Sequence, residues 1–333
     1  MKFNPMLADN GNKLRTDLIN SKHFFLDEKL NGERCLIRKT KSGKIIAFGR
    51  GKTDGITTRY ETKIPTIISE LDNIIDNDTI LDCELCYFDK NGIEDRGKVR
   101  SVCGTIDINE SRKKLKQYPL KLVVFDVCQN NGKNLTHLHN IDRRLILNDL
   151  CVDDCLHIES SNYCTNDKQA FIETIFNQKR EGVIAKTYDG YYNYTGKRDR
   201  LTKNKKLEDV DWYKIKRWES SECIVTGFDI SEGEKIYGLV GNLYISEKII
   251  NPLNPTNPND TIYIPRGKVG TGFSDEDRIM LLNMFKDTSE LFSGNIDERL
   301  IVEVEYTNIT KKNGYFENSS FKGIRTDKMW LHG

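Results

Sequence analysis

Three lysines and three carboxylates stand at or within predicted strands of this 333-residue chain, where their side chains could converge. Lys29 ends a run that includes His23-Phe24-Phe25-Leu26 and is followed by Asn31-Gly32, a dipeptide that favours positive φ in a tight hairpin turn. Glu84 lies in "LDCELCYF", Asp126 in "LVVFDVC", Glu181 opens "EGVIAK", and Lys214 and Lys216 alternate in "DWYKIKRW". Alternation puts Lys214, Lys216 and Trp212 on one strand face, with Tyr213 and Ile215 on the other. Two ammonium groups so placed repel each other unless an anion or a carboxylate lies between them. A lysine attacks only when deprotonated, and its ordinary pKa is about 10.4. Nearby cations and partial burial both lower that value. Taken singly, each group reads as an ordinary charge on a half-exposed strand. Together they offer a nucleophilic amine, a cationic clamp for phosphates and carboxylates for a divalent metal.

The elements that must position these groups are mostly strands. Period-two segments with β-branched and aromatic residues cover 23–29, 34–39, 44–49, 79–88, 120–128, 181–188 and 212–218. Helical patterns lie at 62–75, 141–150 and 167–179, the last opened by Asn166-Asp167 as N-caps. Strands mixed with helices, without regular βαβ alternation, predict an α+β domain of antiparallel sheets flanked by helices. After Trp218 the pattern changes to short strands at Cys223–Asp229, Tyr237–Ile245, Thr261–Pro265 and Leu300–Tyr306. One helix interrupts them, with Ser274 and Asp277 in capping-box spacing. That pattern predicts a small closed β-barrel of the OB type. Two domains are expected, 1–218 and 219–333.

Composition narrows the classes. A net charge of +1 argues against strong global attraction to polyanions, so nucleic-acid binding requires segregated charge. Residues 197–206 supply it, with six cations against one acid. No apolar run is long enough to span a membrane, and the first residues lack a signal-peptide core, which predicts a soluble intracellular protein. Nine cysteines without paired zinc spacing read as free, mostly buried thiols, and Cys83 and Cys86 would point to opposite strand faces. "GRGKT" (49–53) is no P-loop, because that motif needs glycine where Ile46 stands.

In order, "EKLNGER", "FGRGK", "LDCEL", "VVFDV", "EGVIAK", "DWYKIK" and "FKGIRTDK" resemble the motif series of the covalent nucleotidyltransferases, which include polynucleotide ligases and mRNA capping enzymes. The first is similar to K-x-D-G-x-R and the last to R-x-D-K; the series spans residues 26 to 330. "YNYTGKR", "RGKVGTGFSDED" and "EVEYTNIT" resemble ATP-dependent DNA ligases of the minimal two-domain type, small phage, viral and bacterial end-joining enzymes among them.

The resemblance implies ATP as cofactor with Mg²⁺, or Mn²⁺ in its place, and nicked duplex DNA as substrate. It also implies a monomer acting in the cytoplasm or, for a viral enzyme, in the host cell. Lys29 would form lysyl-AMP, with Glu28 and Arg34 beside the nucleotide. Glu84 would hold the ribose or the metal, Phe125 would stack on adenine, and Glu181 would bind metal. Lys214 and Lys216 would hold phosphates. Arg50, Lys52 and Arg198 would meet DNA, and Arg325, Asp327 and Lys328 would orient pyrophosphate. The chain departs from the pattern at Asn31, where aspartate is usual, and at Cys83, where glycine is common; Asp199–Val210 is longer than the usual link. RNA ligase, capping guanylyltransferase and a non-catalytic nucleic-acid-binding protein stay open as alternatives.

Overall fold

The strand that ends at Lys29 and the strand that follows it belong to different sheets. The computed structural model describes residues 4–50, 58–150, 155–286, 300–310 and 313–328. In it Phe24–Lys29 pairs with Gly182–Thr187 and Tyr163–Cys164, whereas Glu33–Lys39 pairs with Ile45–Phe48 and Thr79–Cys86. The hairpin expected at Asn31-Gly32 is therefore not formed, and neither residue has a positive φ. Each strand finds a longer partner elsewhere, and residues 30–32 carry the chain across from one sheet to the other. Gly32 is needed for a different reason: a Cβ there would lie 2.0 Å from the Leu85 carbonyl oxygen. The hairpin across Ser42-Gly43 does form, with Gly43 at φ +82°.

Residues Met1–Arg217 make one unit and Trp218–Gly333 a second. The first unit holds a five-stranded sheet in the order Asp9–Asn10, Trp212–Lys216, Gly182–Thr187, Phe24–Lys29, Tyr163–Cys164. Its other sheet runs Ile45–Phe48, Glu33–Lys39, Thr79–Cys86, Lys121–Asn130, Lys133–Asn134, with Ile158–Ser160 parallel to Lys121–Asn130. Pairing is otherwise antiparallel apart from Asp9–Asn10 beside Trp212–Lys216. One face of the first sheet is apolar: Phe24, Leu26, Val183, Ala185, Tyr213 and Ile215 pack with residues of helices Arg15–Asn20 and Lys168–Asn177. Each fully buried Phe, Leu, Val or Ile side chain among them contributes about 1.5–3 kcal/mol. The opposite face carries Asp27, Lys29, Lys186, Lys214 and Lys216, so the two-residue period sorts core from chemistry.

The helices expected at 62–75, 141–150 and 167–179 are Pro65–Ile74, Asn140–Asp149 and Lys168–Asn177, the last capped by Asp167. Two more, Arg96–Cys103 and Ile108–Gln117, were not signalled by apolar periodicity because their exposed faces are rich in cations; Asp95 and Asp107 cap them. Among the described residues, no helix is long and apolar enough to cross a membrane. The eight described cysteines are free thiols, and Cys83 and Cys86 fall in separate apolar clusters.

The second unit is one five-stranded sheet, in the order Thr261–Val269, Val240–Ile250, Glu219–Ile230, Ile301–Tyr306, Ser320–Ile324, with a small ribbon of Asn308–Ile309 and Phe316–Glu317. The capping box forms: the Asp277 amide donates to Ser274 Oγ and the Ser274 amide to Asp277 Oδ2, opening helix Asp275–Lys286. The expected closed barrel is not completed by strand pairing among the described residues. The edge segments meet through isolated bonds: Ser319 Oγ donates to the Lys268 carbonyl, Thr271 Oγ1 to the Ser319 carbonyl and the Phe321 amide to the Thr271 carbonyl. Gly267, at φ +89°, bends the edge strand just before that contact.

Candidate active site

Register decides where the charges meet. Gly182 lies opposite Lys29 on one side and Lys216 on the other, so Glu181, one residue earlier, sits between two lysines. Its Oε2 is 2.6 Å from Lys29 Nζ and its Oε1 is 2.9 Å from Lys216 Nζ. The carboxylate that two lysines on one face require is thus supplied by the neighbouring strand. Burial works to raise the pKa of Glu181, but Lys29 and Lys216 outweigh it and hold the carboxyl below its ordinary range. The close approach needs Gly182: a Cβ would stand 2.1 Å from the Ile215 carbonyl oxygen.

The second sheet supplies the facing wall. Arg34 and Glu84 are cross-strand partners. Arg34 binds Asp82 through two nitrogens, with Nε 2.6 Å from Oδ1, and its guanidinium lies 4.6 Å over the ring of Phe125. Phe125 falls at a register shift: Asp82 pairs with Asp126 and Cys83 with Val124, leaving Phe125 as the unpaired extra residue of a bulge. Such bulges re-aim a side chain, and here the ring lines the pocket. Glu84 accepts the Gly32 amide at 3.2 Å. Burial pushes its carboxyl up to about 7 against the opposing pull of Lys29 and Arg34.

Lys29, Arg34, Arg50, Glu84, Phe125, Arg198 and Lys214 line one pocket of the first unit. Lys214 is held below its ordinary range by burial and then by the cations Arg198, Lys216 and Lys29. Arg198 reaches the pocket because the basic segment is tied down. Leu7 and Arg198 form a parallel bridge, and the Leu201 amide donates to Asp9 Oδ2. Glu28 also borders the pocket, but its carboxylate is engaged by Asn162 Nδ2 at 2.7 Å and Arg180 Nη1 at 3.2 Å. Asp126 is structural: it forms a buried two-point pair with Arg143. Lys52 lies outside the described residues. Arg325 and Asp327 are in the second unit, bonded to each other at 2.9 and 2.8 Å, and Arg325 also pairs with Glu222; the side chain of Lys328 lies outside the described residues.

Sequence reasoning missed part of the wall. Asp27 and Lys186 form a buried pair at 2.6 Å, and Lys186 also lies 4.7 Å over the Trp212 ring. Both sit in segments already singled out, and the strand period alone would have put Asp27 on the face of Lys29. Leu7 and Ala8 also line the pocket. Nothing in their segment predicted that, because they precede a two-residue strand, too short to leave a period to read.

The carboxylates fit a hard divalent cation in a limited way. Among the described residues no group of three or more His, Cys, Asp or Glu side chains could hold a metal. Mg²⁺, however, commonly takes one or two carboxylates and completes its shell with substrate phosphates and water. Glu84 and Glu181 are compatible with that.

Residues 5–205, well over half of the chain, match the family described as ATP dependent DNA ligase domain. The chain is 28% identical over 228 residues to DNA ligase 4 of Candida glabrata, a match that covers 64% of this chain and 23% of that protein. It is 24% identical over 340 residues to the multifunctional non-homologous end joining protein LigD of Mycolicibacterium smegmatis, covering 98% of this chain and 39% of that one. The chain therefore spans well under two thirds of the length of these curated relatives. The crystal structure of the ligase domain from M. tuberculosis LigD has the same fold at a TM-score of 0.51 and 21% identity, covering 98% of this chain and 96% of that chain. On the match of residues 5–205, the chain belongs to the ATP-dependent DNA ligase domain family.

Proposed function

We propose that the chain is an ATP-dependent DNA ligase that seals nicks in duplex DNA, with residues 1–218 as adenylation domain and 219–333 as OB-type domain. The observation that carries this reading is the Lys29–Glu181–Lys216 bridge beside a pocket that brings together Arg34, Glu84, Phe125 and Lys214. Lys29 attacks the α-phosphorus of ATP, a nitrogen–phosphorus bond forms and pyrophosphate leaves. Glu181 fixes the direction of the amine, and Lys214 and Lys216 hold phosphate charge. Arg34, pinned by Asp82, and Phe125 shape the nucleotide side of the pocket. AMP then passes to the 5′-phosphate of the nick, and the 3′-hydroxyl displaces it. Arg50, Lys52 and Arg198 contact the DNA backbone, so binding weakens with salt.

In the first step Arg325, Asp327 and Lys328 of the second domain orient the leaving pyrophosphate. Glu84 and Glu181 would hold Mg²⁺, or Mn²⁺, together with phosphate oxygens; the ion supplies charge neutralisation to the triphosphate. The enzyme works as an intracellular monomer.

A nick-sealing assay on an end-labelled duplex with ATP, run beside Lys29→Ala, tests the reading. Sealing by the wild-type chain and none by the variant is expected. Sealing with GTP alone, sealing only of RNA strands, or an adenylate retained on Lys29→Ala would each overturn it.

A further inference from the structure

Asn31 stands two residues after Lys29, where the resembling motif has aspartate, and a carboxylate is nevertheless present against that loop. Glu94 Oε1 accepts the Asn31 amide at 2.9 Å, and Glu84 accepts the next amide, that of Gly32, at 3.2 Å. Glu94 is delivered by a tight turn. The Asp89 amide donates to the Ile93 carbonyl, Gly92 takes φ +73°, and Phe88 and Glu94 form an antiparallel bridge. The residue is 5% exposed. Behind it, Arg180 Nη1 lies 4.0 Å from Glu94 Oε1 and 3.2 Å from Glu28 Oε1, with its guanidinium 4.7 Å over Phe88. Arg180 is the neighbour of Glu181, so one dipeptide touches both the carboxylate against the Asn31 amide and the amine of Lys29.

A residue's own side-chain carboxylate lies within about 4 Å of its amide nitrogen by bond lengths alone. An aspartate at 31 would therefore place a second carboxylate within about 7 Å of Glu94, with Arg180 already shared between Glu94 and Glu28. The asparagine present adds no charge, and its side-chain amide makes no hydrogen bond among the described residues.

We propose that Glu94 is a positioning residue for the loop that presents Lys29, and that Asn31 is neutral because Glu94 already occupies the place of a carboxylate against that loop. The inference rests on the reading of Lys29 as the nucleotidyl acceptor. Positions 31 and 94 then form an exchangeable pair in which one carboxylate is needed and two are harmful.

The test is a double-mutant cycle on the 333-residue chain, reading the rate of self-labelling from α-labelled ATP at saturating nucleotide. Glu94→Gln and Asn31→Asp are each expected to slow labelling about tenfold, with a smaller change in the ATP concentration for half-maximal rate. The double variant should return to within about threefold of wild type, a rescue that a purely structural role of Glu94 does not produce. Additive losses, or an Asn31→Asp chain as fast as wild type, overturn the proposal; the latter decides even where Glu94→Gln fails to fold. Lys29→Ala separates the two levels. Label retained on it overturns the acceptor reading and the positioning role together, whereas label lost on it with an additive cycle overturns the positioning role alone.

Discussion

The charges around Lys29 and those around Arg325 are satisfied in opposite ways. Lys29 reaches Glu181 across 152 positions of sequence, Lys186 reaches Asp27 across 159, and Arg34 reaches Asp82 across 48. The carboxylates of Asp27 and Asp82 are buried, with side chains 1% and 0% exposed. Arg325 instead places two of its nitrogens on Asp327, two residues further on, whose side chain is 60% exposed, and reaches Glu222, 103 positions away and 37% exposed. The first arrangement exists only when both sheets have formed, and its geometry is fixed before any ligand arrives. The second lies nearer solvent, where ion pairs are weak and more easily exchanged for another anion. On the proposed function, a fixed acceptor and a releasable pyrophosphate contact are what the two regions require.

The largest effect should come from breaking the fixed region. Glu181→Gln removes the charge between Lys29 and Lys216 and leaves two half-buried ammonium groups facing each other. Self-adenylylation is expected to fall about 100- to 1000-fold, the range found when a single preorganised electrostatic contact is removed. Unfolding should also become easier, because breaking a buried pair leaves its partners uncompensated. Single-turnover labelling and a urea titration measure the two. A loss below about tenfold would mean that the bridge is not what aligns the amine.

How far this could be read beforehand differs by the same contrast. Lys29, Glu84, Lys214 and Lys216 were legible because each sits in a strand whose period shows which face it takes, and Glu181 because it directly precedes one. That the carboxylate between the lysines is Glu181 was not legible, since register is set by pairing between strands more than 150 residues apart. The hairpin at Asn31-Gly32 was wrong for that reason: turn preference is local, and pairing with Gly182–Thr187 overrode it. Phe125 was legible by resemblance, its bulge was not. Helices Arg96–Cys103 and Ile108–Gln117 left only their Asp caps as signals. Leu7 and Ala8 left none.

A smaller effect is expected from the releasable region. Arg325→Ala should slow the first step about tenfold while leaving the sealing of a pre-adenylylated nick near wild type. Its partners Asp327 and Glu222 have side chains 60% and 37% exposed, so thermal unfolding should change little. The two assays run side by side give a ratio. An equal loss in both steps would show that Arg325 serves the structure of its domain, and the contrast with Lys29 would collapse.

The smallest effect is a slope. Glu94 and Glu84 hold their protons up to about 7 in the fold, because burial outweighs the nearby cations, and release them near 4.5 when unfolded. Between those values the folded chain binds more protons than the unfolded one, so stability rises as pH falls from 7.5 towards 5. Glu181 has the opposite sign, its carboxyl being held low by the two lysines, and its contribution is lost only below about 4.5. The melting temperature of wild type should therefore climb by a few degrees from pH 7.5 to 5.5, and Glu94→Gln should flatten that climb. Arg325→Ala should leave the slope untouched, since its partners are Glu222 and Asp327 and neither of these two carboxyls. A wild-type slope of the reverse sign, with melting highest at pH 7.5, would mean that Glu94 and Glu84 are already ionised in the fold well below pH 7.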